Sequence, residues 1–470
     1  MKPKRYDVAI VGSGLAGIVA ANTLAEHNLN ILLMDENIHL GGQILRTIPQ
    51  RLGTLTISES DKVRRAGFRF IENSKKKKIS VMNRTVILGI YPERELLLEE
   101  NGKSVFTIRP DIILFATGAR EKYLPFKGWT LPGVVSTGAV QVLMKGSGVL
   151  FSKEMLIGGS GLFLFAVAYD YLKNGGRVLG VLDQTAFFAY LPLLTLGLHH
   201  LPKLAEGTRY AATLLCSGVP IRHRTRIIEA RGDRYLREVV TAKVDSKGNP
   251  LDSRGRIINT HGLAVGYGFA PNIELPLLAG CELEYDDAKG GWVVRVGDDL
   301  QTSAGNVYAA GEITGIAGAL KSLNEGHIAA LSILRVLGKI GEREFSLHFK
   351  GLTKQRRHHL SFGAYLNSCY RVPDTAIYQI PDETVICRCE DVTMGEIRTA
   401  IREGYHTPGA IKKATRTGMG RCQGRTCGPI LYDIISAYTG KPSNEIPLLS
   451  VRPPIKPVTF DSLIAEDEIV

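Results

Sequence analysis

Four cysteines near the carboxyl end of the chain are the residues whose types and spacing most directly suggest chemistry. Cys387 and Cys389 form a C-x-C pair, and Cys422 and Cys427 form a C-x4-C pair. Four thiolates in two close pairs bind either a zinc ion or an iron–sulfur cluster. Paired zinc ligands usually have two or more residues between them, whereas C-x-C suits two ligands of a 2Fe-2S cluster. The spacing favours a 2Fe-2S cluster, with zinc and free thiols as the alternatives.

The charges around the second cysteine pair fit an anionic cluster. A 2Fe-2S centre with four thiolate ligands carries about two negative charges when oxidised and about three when reduced. Nearby cations therefore stabilise the reduced form. No acidic residue lies between Tyr405 and Tyr432. The cations in this stretch are Lys412, Lys413, Arg416, Arg421 and Arg425.

The first part of the chain carries a strand, a glycine turn and a helix in the order that binds a dinucleotide. Gly12, Gly14 and Gly17 have GxGxxG spacing, and the acid Asp35 follows about 20 residues further on, at the end of the next strand. One glycine makes the tight turn, one admits the pyrophosphate, and one lets helix and strand pack closely. The helix start offers free N–H groups to the phosphates. The predicted elements are a strand at 6–11, a helix at 15–27 and a strand at 31–34.

A second, degraded copy of this pattern lies in the middle of the chain. A predicted strand at 155–157 leads into Gly159-Ser160-Gly161, but Leu164 stands where the third glycine would be. Asp183 ends the following strand, as Asp35 does in the first copy. The pattern predicts a Rossmann-like domain. The sequence leaves two alternatives open: a nucleotide occupies this domain, or the domain has lost its nucleotide and the site is empty.

A third block ends a short strand with a carboxylate. The strand at 307–310 is followed by Gly311 and Glu312, and a predicted helix covers 322–337. A carboxylate at this place is suited to polyol hydroxyls, although an ordinary loop would look the same. The chain lacks a C-x4-C after Gly41-Gly42-Gln43, which a dithiol flavin reductase would need, and it has no HExxH or GxSxG.

Composition limits the remaining classes of protein. The chain has 470 residues, which suggests about three domains, and a net charge of +12, which favours anionic partners. Nucleic-acid binding is not expected, because the lysine run at 75–78 has no interleaved aromatic residues. Without a signal segment or about 18 consecutive apolar residues, we expect a cytoplasmic protein with at most peripheral membrane association. The apolar segment 186–215 is either core or a docking surface exposing Phe187, Phe188, Leu193 and Leu194.

These motifs together resemble those of the two-dinucleotide-binding-domain flavoproteins. The resemblance is carried by Gly12–Gly17, Gly41-Gly42-Gln43, Ala116–Arg120 and Tyr308–Glu312. The cysteine block is similar to a bacterioferritin-associated-ferredoxin-like (BFD-like) 2Fe-2S domain. With Gly128–Val134 added, the combination resembles the alpha subunits of hydrogen cyanide synthase, opine oxidases, dye-linked proline or hydroxyproline dehydrogenases and heteromeric sarcosine oxidase.

The resemblance implies an α/β fold and a domain order. The fold would be glutathione-reductase-like, with an FAD domain, an inserted Rossmann-like NAD(P)-type domain and a small helical 2Fe-2S domain. The expected boundaries are FAD domain 1–120, inserted domain 121–258, FAD domain 259–345, linker 346–380, 2Fe-2S domain 381–440 and proline-rich tail 441–470.

The resemblance also implies a cofactor for each site. In this family the first glycine block holds the FAD phosphates, the acid at Asp35 or Glu36 holds the adenosine ribose, and Glu312 stands where Asp is more usual near the ribityl chain. The implied FAD residues are Gly12, Ser13, Gly14, Ala16, Gly17, Asp35, Glu36, Gly42, Gln43, Val86, Ala116, Thr117, Gly118, Gly311 and Glu312. The site at Gly159, Ser160, Gly161 and Asp183 would hold NAD(P), ATP or nothing, and the 2Fe-2S ligands would be Cys387, Cys389, Cys422 and Cys427.

The function that follows is electron transfer in a heteromeric amino-acid or opine-type dehydrogenase. An amine-oxidising flavoprotein beta subunit, and a small ferredoxin-like subunit in some assemblies, would be the partners, and a quinone or ferredoxin-like protein the acceptor. Two alternatives are a stand-alone NAD(P)H:acceptor oxidoreductase and a non-catalytic, nucleotide-sensing scaffold. The sequence identifies neither the substrate nor a catalytic residue.

Overall fold

The computed structural model describes residues 4–46, 62–192, 201–252 and 255–464. The chain divides into two compact units. The first unit comprises Met1–Arg120, Ala270–Ala364 and Val451–Val470, and the second comprises Glu121–Phe269 and Tyr365–Ser450. The first unit has a mixed sheet and the second a parallel sheet, and helices pack on each of them.

Most strands are short and buried. In chain order they are β1 (Lys4–Val11), β2 (Ile31–Met34), β3 (Ile79–Met82), β4 (Thr85–Tyr91), β5 (Glu95–Glu100), β6 (Ser104–Phe115), β7 (Ala119–Glu121), β8 (Val134–Ser136), β9 (Glu154–Gly159), β10 (Arg177–Asp183), β11 (Ile221–His223), β12 (Thr225–Arg231), β13 (Glu238–Lys243), β14 (Arg256–Asn259), β15 (Leu263–Gly266), β16 (Phe269–Pro271), β17 (Leu283–Asp286), β18 (Gly291–Val294), β19 (Val307–Ala309), β20 (Val385–Cys387) and β21 (Val392–Thr393).

The helices vary more in length. They are α1 (Leu15–Leu24), α2 (Lys62–Ser74), α3 (Thr137–Val142), α4 (Phe163–Lys173), α5 (Leu201–Cys216), α6 (Glu274–Leu278), α7 (Ala319–Val336), α8 (Glu342–Cys369), α9 (Asp374–Tyr378), α10 (Met394–Arg402), α11 (Pro408–Thr415), α12 (Gly428–Thr439) and α13 (Phe460–Ile464). Single-turn helices occupy Ala25–His27, Pro92–Arg94, Leu143–Ser147, Phe187–Tyr190, Asp287–Lys289, Glu312–Thr314 and Ser443–Glu445.

The sheet of the first unit brings three chain segments to one edge. Its strand order is β3-β2-β1-β6-β5-β4, and β19 pairs with the last part of β6. The long strand β6 pairs in parallel with β1 and β19, and antiparallel with β5 at its start. Because the carboxyl ends of parallel strands meet at one edge, the loops after β1, β6 and β19 are neighbours. Helices α1 and α7 cover this sheet with an apolar core that includes Ile18, Ala20, Leu24, Ile328 and Ile333.

The second unit contains the Rossmann-like sheet and the cysteine domain. The parallel sheet has the order β11-β10-β9-β15-β8, and β12-β13-β14 form a separate antiparallel sheet. The cysteine domain, built from β20, β21 and α10–α12, shares one apolar cluster with the segment that contains Trp129. The indole N–H of Trp129 donates a hydrogen bond to the Val385 carbonyl at 2.6 Å, so this segment is anchored to β20.

The structure describes, in whole or in part, three segments about which the sequence makes a prediction: the linker, the tail and the apolar segment 186–215. The segment 346–380, predicted as a linker, contains most of helix α8 and all of α9. The part of the predicted tail that starts at Val451 belongs to the first unit, where the Ile455 N–H donates to the Leu88 carbonyl at 2.8 Å. In the apolar segment 186–215, which the sequence predicts as either core or a docking surface, Phe187 and Phe188 are exposed. Leu193 and Leu194 lie outside the described residues. Among the helices that the structure describes, none has both the length and the apolar character to cross a membrane.

Candidate functional site

The four flavoprotein-like motifs of the first unit converge on the first glycine loop. A Cβ at Gly12, whose φ is +102°, would lie 2.4 Å from the Ala116 carbonyl oxygen, so the loops after β1 and β6 touch. The Gly41 N–H donates to the Ser13 carbonyl at 3.0 Å, which places Gly41-Gly42-Gln43 beside them. A Cβ at Gly311 would lie 3.1 Å from the Ala16 Cβ, which brings in the block after β19. Motifs far apart in sequence therefore form one site.

The space beside the start of α1 fits a phosphate group. Gly14 is the residue before the helix, and a Cβ built on it meets no atom within 4 Å. Leu15, Ala16 and Gly17 form the first turn, whose N–H groups point toward this end of the helix. A helix start next to open space is a suitable anion site. The residues present therefore fit the FAD pyrophosphate.

The acid that ends β2 is engaged within the chain. Asp35 accepts hydrogen bonds from the Ser13 N–H at 2.7 Å and the Ser13 hydroxyl at 2.6 Å. Its other oxygen accepts from the Asn37 N–H and side-chain amide, each at 2.8 Å. The next acid, Glu36, is exposed and pairs with Lys456. Of the two candidates for the ribose, Glu36 has the more accessible carboxylate, and the ribose contact stays a prediction.

The other predicted FAD residues flank this loop. The Thr85 N–H donates to the Asp35 carbonyl at 3.0 Å, which places the next residue, Val86, close to the end of β2. The Thr117 hydroxyl donates to the Asn272 carbonyl at 2.9 Å, and the Asn272 amide donates to the Thr117 carbonyl at 2.8 Å. This exchange fixes the Ala116–Gly118 turn. Contacts of Val86, Gln43, Thr117 and Gly118 with a cofactor stay predictions.

Glu312 points at a helix start within its own unit. One carboxylate oxygen accepts from the N–H groups of Gly318 at 2.9 Å and Ala317 at 3.4 Å, just before α7. Burial raises the pKa of Glu312, and the Lys321 ammonium opposes that rise. The carboxylate is bound to the two N–H groups that precede α7, and its contact with the ribityl chain stays a prediction.

A buried ion cluster under the Gly311–Gly315 turn was not foreseen from the sequence. The Lys321 ammonium donates to the carbonyls of Gly311 at 2.6 Å and Gly315 at 3.0 Å. It also lies 2.9 Å from a carboxylate oxygen of Glu325, and both side chains are fully buried. Arg356 donates to Glu325 at 2.7 Å. Burial alone would raise the pKa of Glu325, but the two cations hold it below its usual value.

The four predicted cluster ligands lie together in the second unit as two thiol pairs. Cys387 shares a hydrogen bond with Cys427, and Cys389 shares one with Cys422. Cys387 and Cys427 are buried, whereas Cys389 is exposed and Cys422 half-buried. A Cβ at Gly420 would lie 2.3 Å from the Cys389 Cβ, so the second cysteine loop rests directly on the first.

Within each thiol pair the electrostatics favour the thiolate form of one cysteine, Cys387 or Cys422, and raise the pKa of its partner, Cys427 or Cys389. The hydrogen bond from Cys427 lowers the pKa of Cys387 to about 5 and outweighs the opposing effect of burial. Backbone N–H groups of Gly418, Glu390 and Cys389 assist. Burial alone would raise the pKa of Cys422, but hydrogen bonds from Thr426 and Cys389 hold it below its usual value. Thiolates accepting backbone N–H bonds are the donors that iron–sulfur clusters use.

The thiols supply the number of ligands that a 2Fe-2S cluster needs, which is two thiolates on each iron. Among the residues that the structure describes, no three Cys, His, Asp or Glu side chains are close enough together to hold a metal ion as they stand. The predicted excess of cations is partly neutralised, because Glu390 from the first cysteine loop pairs with Arg416 at 2.8 Å. The guanidinium of Arg388 lies 5.2 Å from the Trp129 ring centroid.

The second predicted nucleotide site retains the backbone plan of the first. Gly159 ends β9, α4 begins at Phe163, and Asp183 ends β10. Asp183 is fully buried and lies 3.2 Å from the His223 ring. Leu164, which replaces the third glycine, is also fully buried, so the helix accommodates its side chain in the core.

The chain matches a known protein family in the part that contains the glycine loops and another in the part that contains the four cysteines. Residues 6–330 match the family described as pyridine nucleotide-disulphide oxidoreductase, which covers both glycine loops. Residues 385–437 match the BFD-like 2Fe-2S binding domain, which covers all four cysteines.

Full-length relatives are found as well. The chain is 30% identical to an opine oxidase subunit of Rhizobium meliloti (strain 1021), with 97% of each chain covered. It is 32% identical to hydrogen cyanide synthase subunit HcnB of Pseudomonas aeruginosa, with 96% of this chain and 97% of that one covered. The crystal structure of L-proline dehydrogenase from P. horikoshii shares the fold, with a TM-score of 0.72 and 20% identity over 98% of this chain and 80% of that one.

Proposed function

The chain belongs to the pyridine nucleotide-disulphide oxidoreductase family, and we propose that it is the electron-transferring subunit of a heteromeric amino-acid or opine-type dehydrogenase. It is an FAD-dependent oxidoreductase with a BFD-like 2Fe-2S domain. Its relatives are subunits of opine oxidase and hydrogen cyanide synthase. The proposed substrates are proline, hydroxyproline, sarcosine, glycine or an opine.

The observation that carries this proposal is that both cofactor sites lie on one chain whose relatives are similar over almost their full length. When bound, FAD accepts an electron pair as hydride and a 2Fe-2S cluster carries single electrons. The residues of the first glycine loop would hold the FAD phosphates, and the two thiol pairs would hold the irons. Buried Cys387 and Cys427 would bind the inner part of the cluster, while Cys389 and Cys422 would lie toward the protein surface.

The finer parts of the proposal concern partners and location. We expect an amine-oxidising flavoprotein subunit to supply electrons and, in a larger assembly, a small ferredoxin-like subunit. The acceptor would be a quinone or a ferredoxin-like protein. We expect the complex in the cytoplasm, with at most a peripheral association with the membrane.

The experiment is affinity purification of the tagged chain from its native source. We expect FAD and iron in the chain expressed alone, little dye-linked amine dehydrogenase activity, and full activity in the material that retains a co-purifying flavoprotein. Cys422→Ser should lose the cluster's iron and visible absorption, while Cys216→Ser, an exposed cysteine outside the cluster, should keep both. Amine oxidation by the isolated chain, or flavin bleaching by NADH, would instead support the stand-alone reductase.

A further inference from the structure

The two glycine loops can be compared position by position. Gly12-Ser13-Gly14-Leu15 corresponds to Gly159-Ser160-Gly161-Leu162. A Cβ at Gly14 would meet no atom within 4 Å, so the phosphate position of the first loop is open. A Cβ at Gly161 would lie 2.6 Å from the ring of Tyr370. The same position in the second loop is therefore filled by a side chain of the same unit.

Tyr370 also takes the hydrogen bond that a phosphate oxygen would accept. The Leu162 N–H, directly before α4, donates to the Tyr370 hydroxyl at 3.0 Å. The two preceding N–H groups are committed as well, Ser160 to the Gly266 carbonyl at 2.8 Å and Gly161 to Asp183 at 3.4 Å. In the first loop the Ser13 N–H, the counterpart of the Ser160 N–H, is engaged as well, by Asp35. The bond that distinguishes the second loop is therefore the one from Leu162 to Tyr370, because it takes an N–H at the helix start that a pyrophosphate would use.

The acid that would recognise a ribose is equally engaged. Asp183 accepts hydrogen bonds from the Thr185 N–H at 2.9 Å and the Tyr190 hydroxyl at 2.8 Å, and none of its side chain is exposed. The residue after it is Gln184, so no second acid follows, as Glu36 follows Asp35. A ribose hydroxyl would have to displace Tyr190 to reach this carboxylate.

Two hydrogen bonds attach the segment that carries Tyr370 to the loop after β10. The Tyr365 hydroxyl donates to the Ala189 carbonyl at 2.6 Å. The Thr185 hydroxyl donates to the Cys369 carbonyl at 3.1 Å. These bonds hold the end of α8 against the loop after β10, which keeps Tyr370 in place.

We propose that Tyr370 closes this second dinucleotide fold, so that the chain neither holds an adenine nucleotide there nor takes electrons from NADH. The family fold implies a pyridine nucleotide at this position, and the side chains present do not fit one. Electrons must then enter by another route. This inference goes beyond the proposed function, because it holds for any amine substrate.

The test is titration of the FAD-saturated, full-length chain with NADH and, separately, with ATP, followed by calorimetry. We expect no saturable binding to the wild-type chain and no flavin bleaching by NADH under anaerobic conditions. Tyr370→Ala should bind at least one of the two probes with an apparent Kd about tenfold or more below the highest concentration at which the wild-type chain shows no binding, because the apparent Kd is the intrinsic value divided by the open fraction. The control Tyr235→Ala removes the ring of an exposed tyrosine in the same unit and leaves Tyr370 and the hydrogen bonds of its segment intact, so it should not bind.

Two results would overturn the proposal. One is stoichiometric binding of NADH or ATP to the wild-type chain with a Kd that Tyr370→Ala leaves unchanged, and the other is absence of binding in both proteins. Hydrogen exchange of the Leu162 amide gives a second readout that needs no variant. It should be slow in the wild-type chain and unaffected by NADH, and a nucleotide-dependent change there would contradict the closure even if Tyr370→Ala failed to fold.

Discussion

Replacing Lys321 by Met should destabilise the first unit far more than breaking an ion pair of the same length on its surface. Lys321 lies 2.9 Å from Glu325, with both side chains fully buried. Removing one partner of a buried pair typically costs 3–5 kcal/mol. Because Arg356 still pairs with Glu325 at 2.7 Å, we expect the lower end, about 3 kcal/mol.

The matched control is Arg295→Met. Arg295 also lies 2.9 Å from its partner, Glu282, but 66% and 60% of the two side chains are exposed. Exposed pairs contribute about 0–1 kcal/mol, since solvent screens their attraction. The two variants therefore differ mainly in the burial of the pair that is broken.

The assay is thermal unfolding followed by flavin fluorescence, together with the FAD content of the purified protein. A unit of this size shifts by about 2–4 °C per kcal/mol, so Lys321→Met should lower the Tm by about 6–12 °C. It should also retain less FAD, because the Lys321 ammonium holds the carbonyls of Gly311 and Gly315. Equal Tm losses in the two variants would refute the argument that burial sets the difference.

Three further changes test other parts of the structure. Gly420→Ala should lose most of the cluster iron, since its Cβ would lie 2.3 Å from that of Cys389 and overpacking costs about 1–3 kcal/mol, whereas Gly409→Ala, with no atom within 4 Å, should retain it by iron assay. Burial lowers the pKa of His327 in the folded chain below its ordinary value of 6.5. The contribution of His327 to the free energy of unfolding is therefore complete above pH 6.5 and is lost as the pH falls through the pKa of the folded chain. The stability of the wild-type chain minus that of His327→Gln should therefore decrease from pH 7.5 to 5.5 in urea unfolding, and a constant difference would contradict this. Glu312→Ala should cost about 1 kcal/mol in thermal unfolding because the N–H groups of Ala317 and Gly318 lose their acceptor, while Glu312→Gln, which keeps a carbonyl oxygen there, should lose less.

The sequence predicts the elements whose signals are local. The helix expected at 15–27 is observed as α1 followed by a single turn at Ala25–His27, and the helix expected at 322–337 is observed as α7, Ala319–Val336. Parallel pairing then carries the glycine motifs to one edge, because each follows a strand of the same sheet. The spacing also predicts which cysteines lie near each other in the chain, since Cys387 and Cys389 lie on one short segment and Cys422 and Cys427 on another.

The sequence does not predict which group each acid will bind. Asp35 and Glu312 lie at the ends of strands as expected, yet Asp35 binds Ser13 and Asn37, and Glu312 binds the N–H of Gly318. The end of a strand determines where the backbone of an acidic residue lies. The rotamer of its side chain depends on hydrogen-bond donors that other elements bring there. Ser13 and Gly318 supply such donors, and no periodicity marks them.

Lys321 shows the same limitation for burial. Lysine and glutamate four residues apart on a helix usually form a solvated surface pair. Here the pair is buried, because α8 places Arg356 over Glu325 and the Gly311–Gly315 turn supplies carbonyl acceptors for Lys321. The signal that would have revealed this burial is tertiary, since Arg356 lies 31 residues from Glu325.

Tyr370 extends this argument to ligand binding. A glycine loop before a helix specifies a set of N–H donors, but it does not specify which acceptor will occupy them. In the second loop the acceptor is a hydroxyl 208 residues away, held within the same unit. The Tyr370 hydroxyl belongs to the same chain as the second loop, so it is always available to that loop. A nucleotide can bind only the fraction of molecules in which Tyr370 has left the loop, and its apparent affinity is reduced by that fraction. Two loops with nearly the same glycine spacing are therefore expected to differ in occupancy, and nucleotide titration of Tyr370→Ala measures that difference directly.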